Sequence, residues 1–229
     1  MSESYTMHVG EKFNADGSTR PFPGVTIICF ADPASAIYRA GEALQAELRA
    51  LSYAHKFALL PPPSFHMTVF SLICDYRRIP EEWSSRLPLD APLAQADQFF
   101  IDTVAQVPPP SNFRMLLTFL GGWGLSMRLT PADQDSYKSL RTYRQQIAAA
   151  TGVRYPDHDT YEFHLSLAYK LITLTDDERR HYADLRRAWG DDLRCQIGVF
   201  DTGKPILTFF EDMFAFVPAE QRFSLPSRR

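Results

Sequence analysis

One four-residue pattern occurs twice in the chain, as His66-Met67-Thr68-Val69 and as His164-Leu165-Ser166-Leu167. Each copy has a histidine, an apolar residue, a hydroxyl residue and a second apolar residue, within a run that has the composition of a β-strand. Successive side chains of a strand point to opposite faces, so each histidine shares a face with the hydroxyl residue two positions later. The pattern therefore predicts two strands, each with an imidazole and a hydroxyl on its polar face.

Two imidazoles and two hydroxyls are suited to acid–base chemistry on a phosphate. The alternative interpretation is structural, with two strand histidines satisfied by hydrogen bonds to neighbours at a sheet surface. An aromatic residue, Phe65 or Phe163, precedes the histidine in both copies. This shared feature favours the functional interpretation.

The composition is that of a soluble globular protein, with 45% hydrophobic and 22% charged residues. A length of 229 residues is enough for one large domain or two small ones. The formal net charge of −3 excludes a global basic field that would hold long nucleic acid without regard to sequence. We therefore expect any substrate related to nucleic acid to be small, or to be bound locally at one end.

The cysteines and the apolar segments favour a cytoplasmic location. Cys29, Cys74 and Cys195 are widely spaced and form no C-x-x-C pair, which is typical of reduced thiols. Residues 1–13 lack the apolar core of a signal peptide, and no apolar stretch approaches the roughly 20 residues of a membrane span. The sequence thus predicts a cytoplasmic protein that is not associated with a membrane.

The first half of the chain is predicted to fold as strand, helix and strand. An apolar run predicts a strand over residues 25–31, after which Asp32-Pro33 supplies an N-cap and a first-turn proline. Residues 57–60 and three prolines lead into the first histidine strand, which extends to about Ile73. Apolar residues at helical spacing predict the buried face of the intervening helix: Ile37, Gly41, Leu44, Leu48 and Leu51.

The second half repeats this order. Glycines at 121–124 predict a hairpin between strands at 113–120 and 125–129. Thr130-Pro131 is predicted to begin a helix that ends at Gly152, and the second histidine strand covers about 161–171.

The remaining segments are a connector and a tail. Residues 77–110 form a connector that is predicted to be helical over about 93–104. A further helix is predicted to begin after Thr175, and strand-like runs follow at 196–201, 206–210 and 213–217.

Strand, helix and histidine strand thus occur twice, with the two histidines 98 positions apart. This order predicts an α+β fold with duplicated strand-helix-strand lobes, whose antiparallel sheets face each other across a pseudo-two-fold cleft. We expect a single domain over 1–229, with lobes at about 20–80 and 111–217 joined by the connector. Such an arrangement brings both histidines to one cleft.

Paired H-x-[ST]-x strands in a duplicated α+β fold resemble the two-histidine (2H) phosphoesterase superfamily. That group includes bacterial 2′-5′ RNA ligase-like proteins and cyclic nucleotide phosphodiesterases. Four segments resemble a bacterial branch described as a domain of unknown function: Lys12-Phe13, Asp16-Gly17, residues 22–29 and residues 161–169. The resemblance covers most of the chain.

The resemblance implies a role for each motif residue. His66 and His164 would act as general acid and base, and Thr68 and Ser166 would hold the phosphoryl oxygens. It does not imply a particular substrate, because the motif does not fix the reaction of this branch.

The residue types themselves suit hydrolysis of a 2′,3′-cyclic phosphate. One histidine takes a proton from water and the other gives a proton to the leaving ribose oxygen; an imidazole suits both roles because its ordinary pKa is about 6.5. The two hydroxyls donate hydrogen bonds to the non-bridging oxygens. The scheme requires no metal and no cofactor, and the sequence does not indicate which histidine is the base.

Other polar and aromatic residues are weaker candidates. Arg128 alternates with buried residues and shares the polar face with Ser126, so we predict that it contacts phosphate; an ordinary surface arginine is the alternative. Arg114 is a weaker candidate of the same kind. Trp123, in the glycine turn, either stacks a base or is simply exposed.

The remaining candidates favour structural interpretations. Tyr161 and Tyr169 are separated by even numbers of residues from the inward-facing Leu165, so both are expected on the same inward face of the strand. This position predicts packing in the core rather than stacking on a base. Asp157-His158-Asp159 lacks partners at metal-binding spacing, and we interpret it as a solvated turn.

Three functions are compatible with these features. The first is a metal-independent phosphodiesterase that acts on a cyclic phosphate or a 2′-5′ linkage of a nucleotide or an RNA terminus. The second is a non-catalytic module that binds a nucleotide or an RNA end in the same cleft. The third is a structural protein whose histidines are incidental. Two complete H-x-[ST]-x motifs favour the enzyme, because binding alone does not require a matched acid and base.

Overall fold

The computed structural model describes residues 4–222. In chain order the helices and strands are β1 (Gly24–Phe30), α1 (Ala36–Arg49), β2 (Phe57–Leu59), β3 (His66–Cys74), α2 (Leu93–Val104), β4 (Arg114–Gly121), β5 (Gly124–Pro131), α3 (Gln134–Thr151), β6 (His164–Lys170), α4 (Asp176–Ile197), β7 (Val199–Asp201), β8 (Ile206–Phe210), β9 (Val217–Pro218) and α5 (Ala219–Arg222). None of the helices within residues 4–222 combines the length and apolar character needed to cross a membrane.

Within the described residues, all nine strands belong to one antiparallel sheet. Its order is β7-β4-β5-β6-β3-β1-β8-β9, and β2 pairs with β6. The mixture of helices and antiparallel strands confirms the predicted α+β class. The sheet is continuous, and the two halves of the chain adjoin in it through β3 and β6. That the two halves face each other across a cleft stays a prediction. That the halves arose by duplication stays a prediction.

The two histidine strands are neighbours at the centre of this sheet. β3 and β6 pair antiparallel through Met67 and Leu165, each of which follows a histidine. Continued by one residue in each direction, this register sets His66 opposite Ser166 and Thr68 opposite His164. The pairing therefore brings the two motifs together although 98 positions separate them.

The predicted alternation of side chains is confirmed within both four-residue motifs. The apolar residues of the motifs are buried, whereas the histidines and hydroxyl residues are partly exposed on the other face. Helix α1 packs against the buried face, where a Cβ atom added to Gly41 would lie 2.8 Å from the ring of Phe65 and 3.0 Å from the side chain of Leu167. This close approach of a helix under both strands holds the motifs in a fixed relation.

Two predicted helix caps are wrong by three residues. Asp32 accepts a hydrogen bond from the backbone N–H of Ala34 and forms a turn of its own, so Ser35 caps α1 instead. Thr130 and Pro131 extend β5, and Asp133 caps α3. The capping box at Thr175 and the left-handed C-cap at Gly152, with φ of +69°, are confirmed.

The predicted tail strand at 206–210 is confirmed as β8, whereas the other two predicted runs are only partly strand. Gln196 and Ile197 end helix α4, so β7 begins only at Val199. In the last run, Val217 and Pro218 pair with β8.

The segment before β1 lies along the end of β6. Thr6 donates its backbone N–H to the carbonyl of Leu171 at 2.8 Å and its hydroxyl to the carbonyl of Lys170 at 2.6 Å. The backbone N–H groups of Lys12 and Phe13 both donate to the carbonyl of His8. These bonds turn the segment back toward the sheet and carry Lys12 to the polar face of the histidine strands.

Candidate functional site

His66 is the first residue of β3 and follows a turn of three prolines. Its Nδ1 lies 2.7 Å from the carbonyl oxygen of Ser64. Ser64 is itself held by hydrogen bonds from its amide and hydroxyl to the carbonyl of Pro61. Because a carbonyl only accepts, Nδ1 of His66 carries the proton and Nε2 is left for other chemistry.

His164 repeats this arrangement at the first position of β6. Its Nδ1 lies 2.9 Å from the carbonyl oxygen of Glu162, which again stands two residues before the histidine. The two histidines therefore share one tautomer and one orientation relative to their strands.

Both histidines and both hydroxyl residues line one cavity of about 280 Å³. The structure thus brings together His66, Thr68, His164 and Ser166, four of the five residues predicted to form the site. Their catalytic roles stay predictions.

Arg128, the fifth predicted residue, lies on the other side of His164. It pairs with His164 across β5 and β6, and its guanidinium forms an ion pair with Glu162 at 3.1 Å. In the next register position Ser126 and Ser166 stand with their hydroxyls 3.4 Å apart. Arg128 lines an adjoining cavity of about 530 Å³, which shares His164 and Ser166 with the first cavity.

The surroundings of both histidines disfavour protonation. Burial lowers the pKa of His66 to about 4, an effect that the hydrogen bond to Ser64 partly opposes and the nearby His164 increases. Burial also lowers the pKa of His164, and Arg128 adds to this effect while the carboxylate of Glu162 opposes it. Both imidazoles are thus neutral at pH 7 until an anion binds beside them.

Lys12 also lies at the site, although the sequence did not indicate a functional role for it. Its ammonium group lies 5.0 Å from the ring centre of Phe22 and 5.1 Å from that of Tyr169, and the residue lines both cavities. Within residues 4–222 it makes no ion pair with a carboxylate. A free cation between two cavities is placed to bind an anionic substrate.

The prediction that Tyr161 and Tyr169 pack in the core is wrong. Both tyrosines line the histidine cavity. The expected alternation fails for Tyr169 because the pairing of β5 with β6 shifts register between Leu125 and Ser126. This shift moves the later residues of β6 to the other face. Tyr161 precedes the strand, where the alternation does not apply.

Tyr161 forms the wall between the cavities. Burial raises its pKa to about 12, although Arg144 and a side-chain hydrogen bond with Thr68 oppose this shift. The guanidinium of Arg144 lies over its ring at 4.6 Å and is fixed by hydrogen bonds to the carbonyls of Val69 and His158. The phenol thus stays protonated and orients the hydroxyl of Thr68.

His8, another residue that the sequence did not single out, is buried and lines the larger cavity. Neither of its ring nitrogens has a hydrogen-bond partner among the described residues. Burial, together with Lys12 and Lys170, lowers its pKa to about 4. A neutral ring therefore lies next to Lys12.

The weaker candidates divide between the cavities and the surface. Trp123 is 70% exposed and lines the larger cavity, whereas Arg114 pairs with Asp133 and lines neither cavity. Asp157-His158-Asp159 forms a turn, as predicted, but His158 within it is buried rather than solvated. In the part of the chain that the structure describes, no group of three or more His, Cys, Asp and Glu side chains is placed to hold a metal.

Two neighbouring strands thus each present a histidine and a hydroxyl to one cavity. A family model for 2H phosphodiesterases, described as a domain of unknown function (DUF1868), matches residues 12–124. The match places this chain in the 2H phosphoesterase superfamily as a domain of unknown function. The matched residues include the first histidine motif and end before the second.

A solved structure is similar over nearly the whole chain. It is the crystal structure of the conserved protein of unknown function ATU0111 from Agrobacterium tumefaciens strain C58, with 28% sequence identity and a TM-score of 0.86. The likeness covers 95% of this chain and 93% of that chain. No curated protein matches the sequence.

Proposed function

We propose that this protein is a metal-independent phosphodiesterase that hydrolyses a 2′,3′-cyclic phosphate or a 2′-5′ linkage in a nucleotide or a short RNA. One observation carries the proposal. His66 and His164 line one cavity, and each has its Nδ1 bound to a backbone carbonyl, so that both Nε2 atoms are available to the same substrate. The two imidazoles supply both proton transfers, and the scheme needs no Lewis acid.

His66 is the better candidate for the base. Its pKa is lowered to about 4, so it is neutral and its Nε2 has a free lone pair at pH 7. In the proposed step, Nε2 takes a proton from water as the water oxygen attacks phosphorus. The ring of Phe216, centred 4.3 Å from that of His66, excludes solvent on one side.

His164 is the better candidate for the acid. The carboxylate of Glu162 opposes the fall in its pKa, and an anionic phosphate offsets the effect of Arg128 and Lys12. Once protonated, its Nε2–H gives a proton to the ribose oxygen as the bond from that oxygen to phosphorus breaks. The products are a phosphomonoester and a free ribose hydroxyl, and the two histidines have exchanged protonation states.

The remaining polar groups stabilise the charge on the phosphoryl oxygens. Thr68 and Ser166 line the cavity together with the two histidines, and each provides a hydroxyl donor. Lys12 adds a positive charge between the cavities, and Arg128 adds a second one beside His164.

The test is turnover of nucleoside 2′,3′-cyclic phosphates in the presence of EDTA. We expect His66→Ala and His164→Ala each to lower kcat by roughly 10²–10⁴-fold, because each removes one proton-transfer group. His181→Ala is the matched control, since His181 lies on α4 outside both cavities. Circular dichroism checks that every variant is folded.

The outcomes separate the enzyme from a binding module. Turnover by the wild type that either histidine substitution abolishes supports the proposal. Binding of the cyclic nucleotide without turnover by the wild type contradicts it and favours the module.

A further inference from the structure

A third cavity, of about 340 Å³, adjoins the histidine site at the end of β5 and β6. It shares Arg128, Tyr161 and Glu162 with the cavity that contains His164. The ion pair between Arg128 and Glu162 thus forms a low ridge between the two spaces. Nothing in the proposed hydrolysis of a mononucleotide uses this third cavity.

The sheet places an aromatic ring in line with the site. Phe119 on β4 pairs with Arg128 on β5, and Arg128 pairs with His164 on β6. Residues paired across neighbouring strands share a face of the sheet, so the three side chains form one row that runs from the site to the third cavity.

The edge of the Phe119 ring lies against Gly121, and more than half of the side chain is exposed. Phe119 is 54% exposed, and a Cβ atom added to Gly121 would lie 2.7 Å from a ring atom. The absence of a side chain at Gly121 therefore makes room for this edge of the ring, while the exposed part of the side chain stays accessible from solvent. Tyr137, on α3, is 46% exposed and adds a second ring to the same cavity.

Arg141 supplies charge beside these rings. It lines the third cavity and donates to the phenol oxygen of Tyr137 at 3.5 Å. Within residues 4–222 it makes no ion pair at salt-bridge distance. Aromatic platforms that alternate with free cations are the arrangement that binds single-stranded nucleic acid, because bases stack on the rings and phosphates contact the cations.

We propose that the third cavity binds the nucleotide next to the reacting phosphate, with its base stacked on Phe119 and its phosphate near Arg141, so that the substrate is an oligonucleotide end rather than a mononucleotide. This inference rests on the proposed function, since it takes the reacting phosphate to lie between His66 and His164. It agrees with the net charge of −3, which favours local binding of one end over binding of long nucleic acid.

The test compares a nucleoside 2′,3′-cyclic phosphate with a trinucleotide that ends in the same cyclic phosphate. We expect the wild type to hydrolyse the trinucleotide with a kcat/KM about tenfold higher or more, as a stacked base allows. Phe119→Ala should remove most of this preference and leave the mononucleotide rate unchanged. Phe119→Trp should keep the preference, because an indole also stacks.

Two controls make the result specific. Tyr76→Ala removes an equally exposed ring that lines none of the cavities, and it should leave the ratio of the two rates unchanged. Arg141→Ala should lower the trinucleotide rate alone. Equal rates on the two substrates with the wild type, or an equal loss on both with Phe119→Ala, would overturn the inference.

Failure of hydrolysis is distinguishable from failure of this inference. If the wild type cleaves neither substrate, the proposed function is wrong, and the affinities for a trinucleotide 3′-phosphate and a nucleoside 3′-monophosphate decide the matter instead. Tighter binding of the trinucleotide that Phe119→Ala removes supports the third cavity as a nucleotide subsite. Equal binding of the two ligands rejects it.

Discussion

The two histidine motifs have the same local geometry and different surroundings. Both imidazoles donate Nδ1–H to the carbonyl two residues earlier, so tautomer and orientation are matched. His66, however, lies against the ring of Phe216, whereas His164 lies beside Arg128 and Glu162. The same backbone hydrogen bond thus orients both imidazoles, and the neighbouring side chains shift the pKa values of the two histidines differently. Such a difference is what an acid and a base acting in one step require.

Among the residues around the two histidines, the cation of Lys12 is expected to contribute most to the rate. Lys12→Met keeps the packing of the stem on Phe22 and Tyr169 but removes the cation, and we expect kcat/KM for a cyclic nucleotide to fall by roughly 10²-fold. Steady-state kinetics measure the loss. Lys138→Met, an exposed lysine on α3, is the control. Equal kinetics for the two variants would remove Lys12 from the site.

The hydroxyls are expected to have smaller and unequal effects. We expect Ser166→Ala to lower kcat/KM by about tenfold, as the loss of one hydrogen bond to a charged group predicts. Thr68→Val should have a larger effect, because Thr68 also bonds the phenol of Tyr161. The same kinetic assay measures both losses, with Ser139→Ala on α3 as a control. A full rate with either hydroxyl removed argues against its contact with the phosphoryl oxygens.

The sequence was enough to predict the elements and the faces around the motifs. Alternation within the two four-residue motifs, a complete capping box at Thr175 and a glycine at position 152 are local signals, and each is confirmed because local sterics and hydrogen bonds dictate it. The caps at Asp32 and Thr130 were wrong because a side chain that caps a helix also stabilises a turn or extends a strand.

The residues that the sequence did not reveal are placed by long-range contacts. Lys12 reaches the site because Thr6 bonds to Lys170 and Leu171, which lie far along the chain. Tyr169 faces the cavity because of a shift in register within β6 that no local pattern shows. Hydrogen bonds between distant segments leave no periodic signal in the sequence, so a site completed by a separate segment is only partly predictable.

Glu162 tests the difference between the two histidines directly. Glu162→Gln removes a carboxylate that raises the pKa of His164, so that pKa should fall. If His164 is the acid, the high-pH limb of the kcat profile should move to lower pH, by roughly half a unit to one unit, and the low-pH limb should stay in place. Rates measured from pH 4 to 9 check this, with Glu42→Gln as the control. Movement of the low-pH limb instead would reverse the assignment of acid and base.

The smallest expected effect is on folding stability. Its dependence on pH tests whether His66 is buried in apolar surroundings. The pKa of His66 is about 4 in the folded chain and about 6.5 when the chain is unfolded, so the unfolded state binds more protons between these values. The contribution of His66 is therefore complete above pH 6.5 and is lost as the pH falls toward 4. Replacement by glutamine removes this proton uptake. The free energy of unfolding in urea should therefore decline less steeply for His66→Gln than for the wild type as the pH falls from 6.5 to 4. His164→Gln should also reduce the slope, because the pKa of His164 is lowered too, but Glu162 limits the change. Parallel curves for the wild type and His66→Gln would mean that His66 is solvated, and the apolar wall would then not distinguish it from His164.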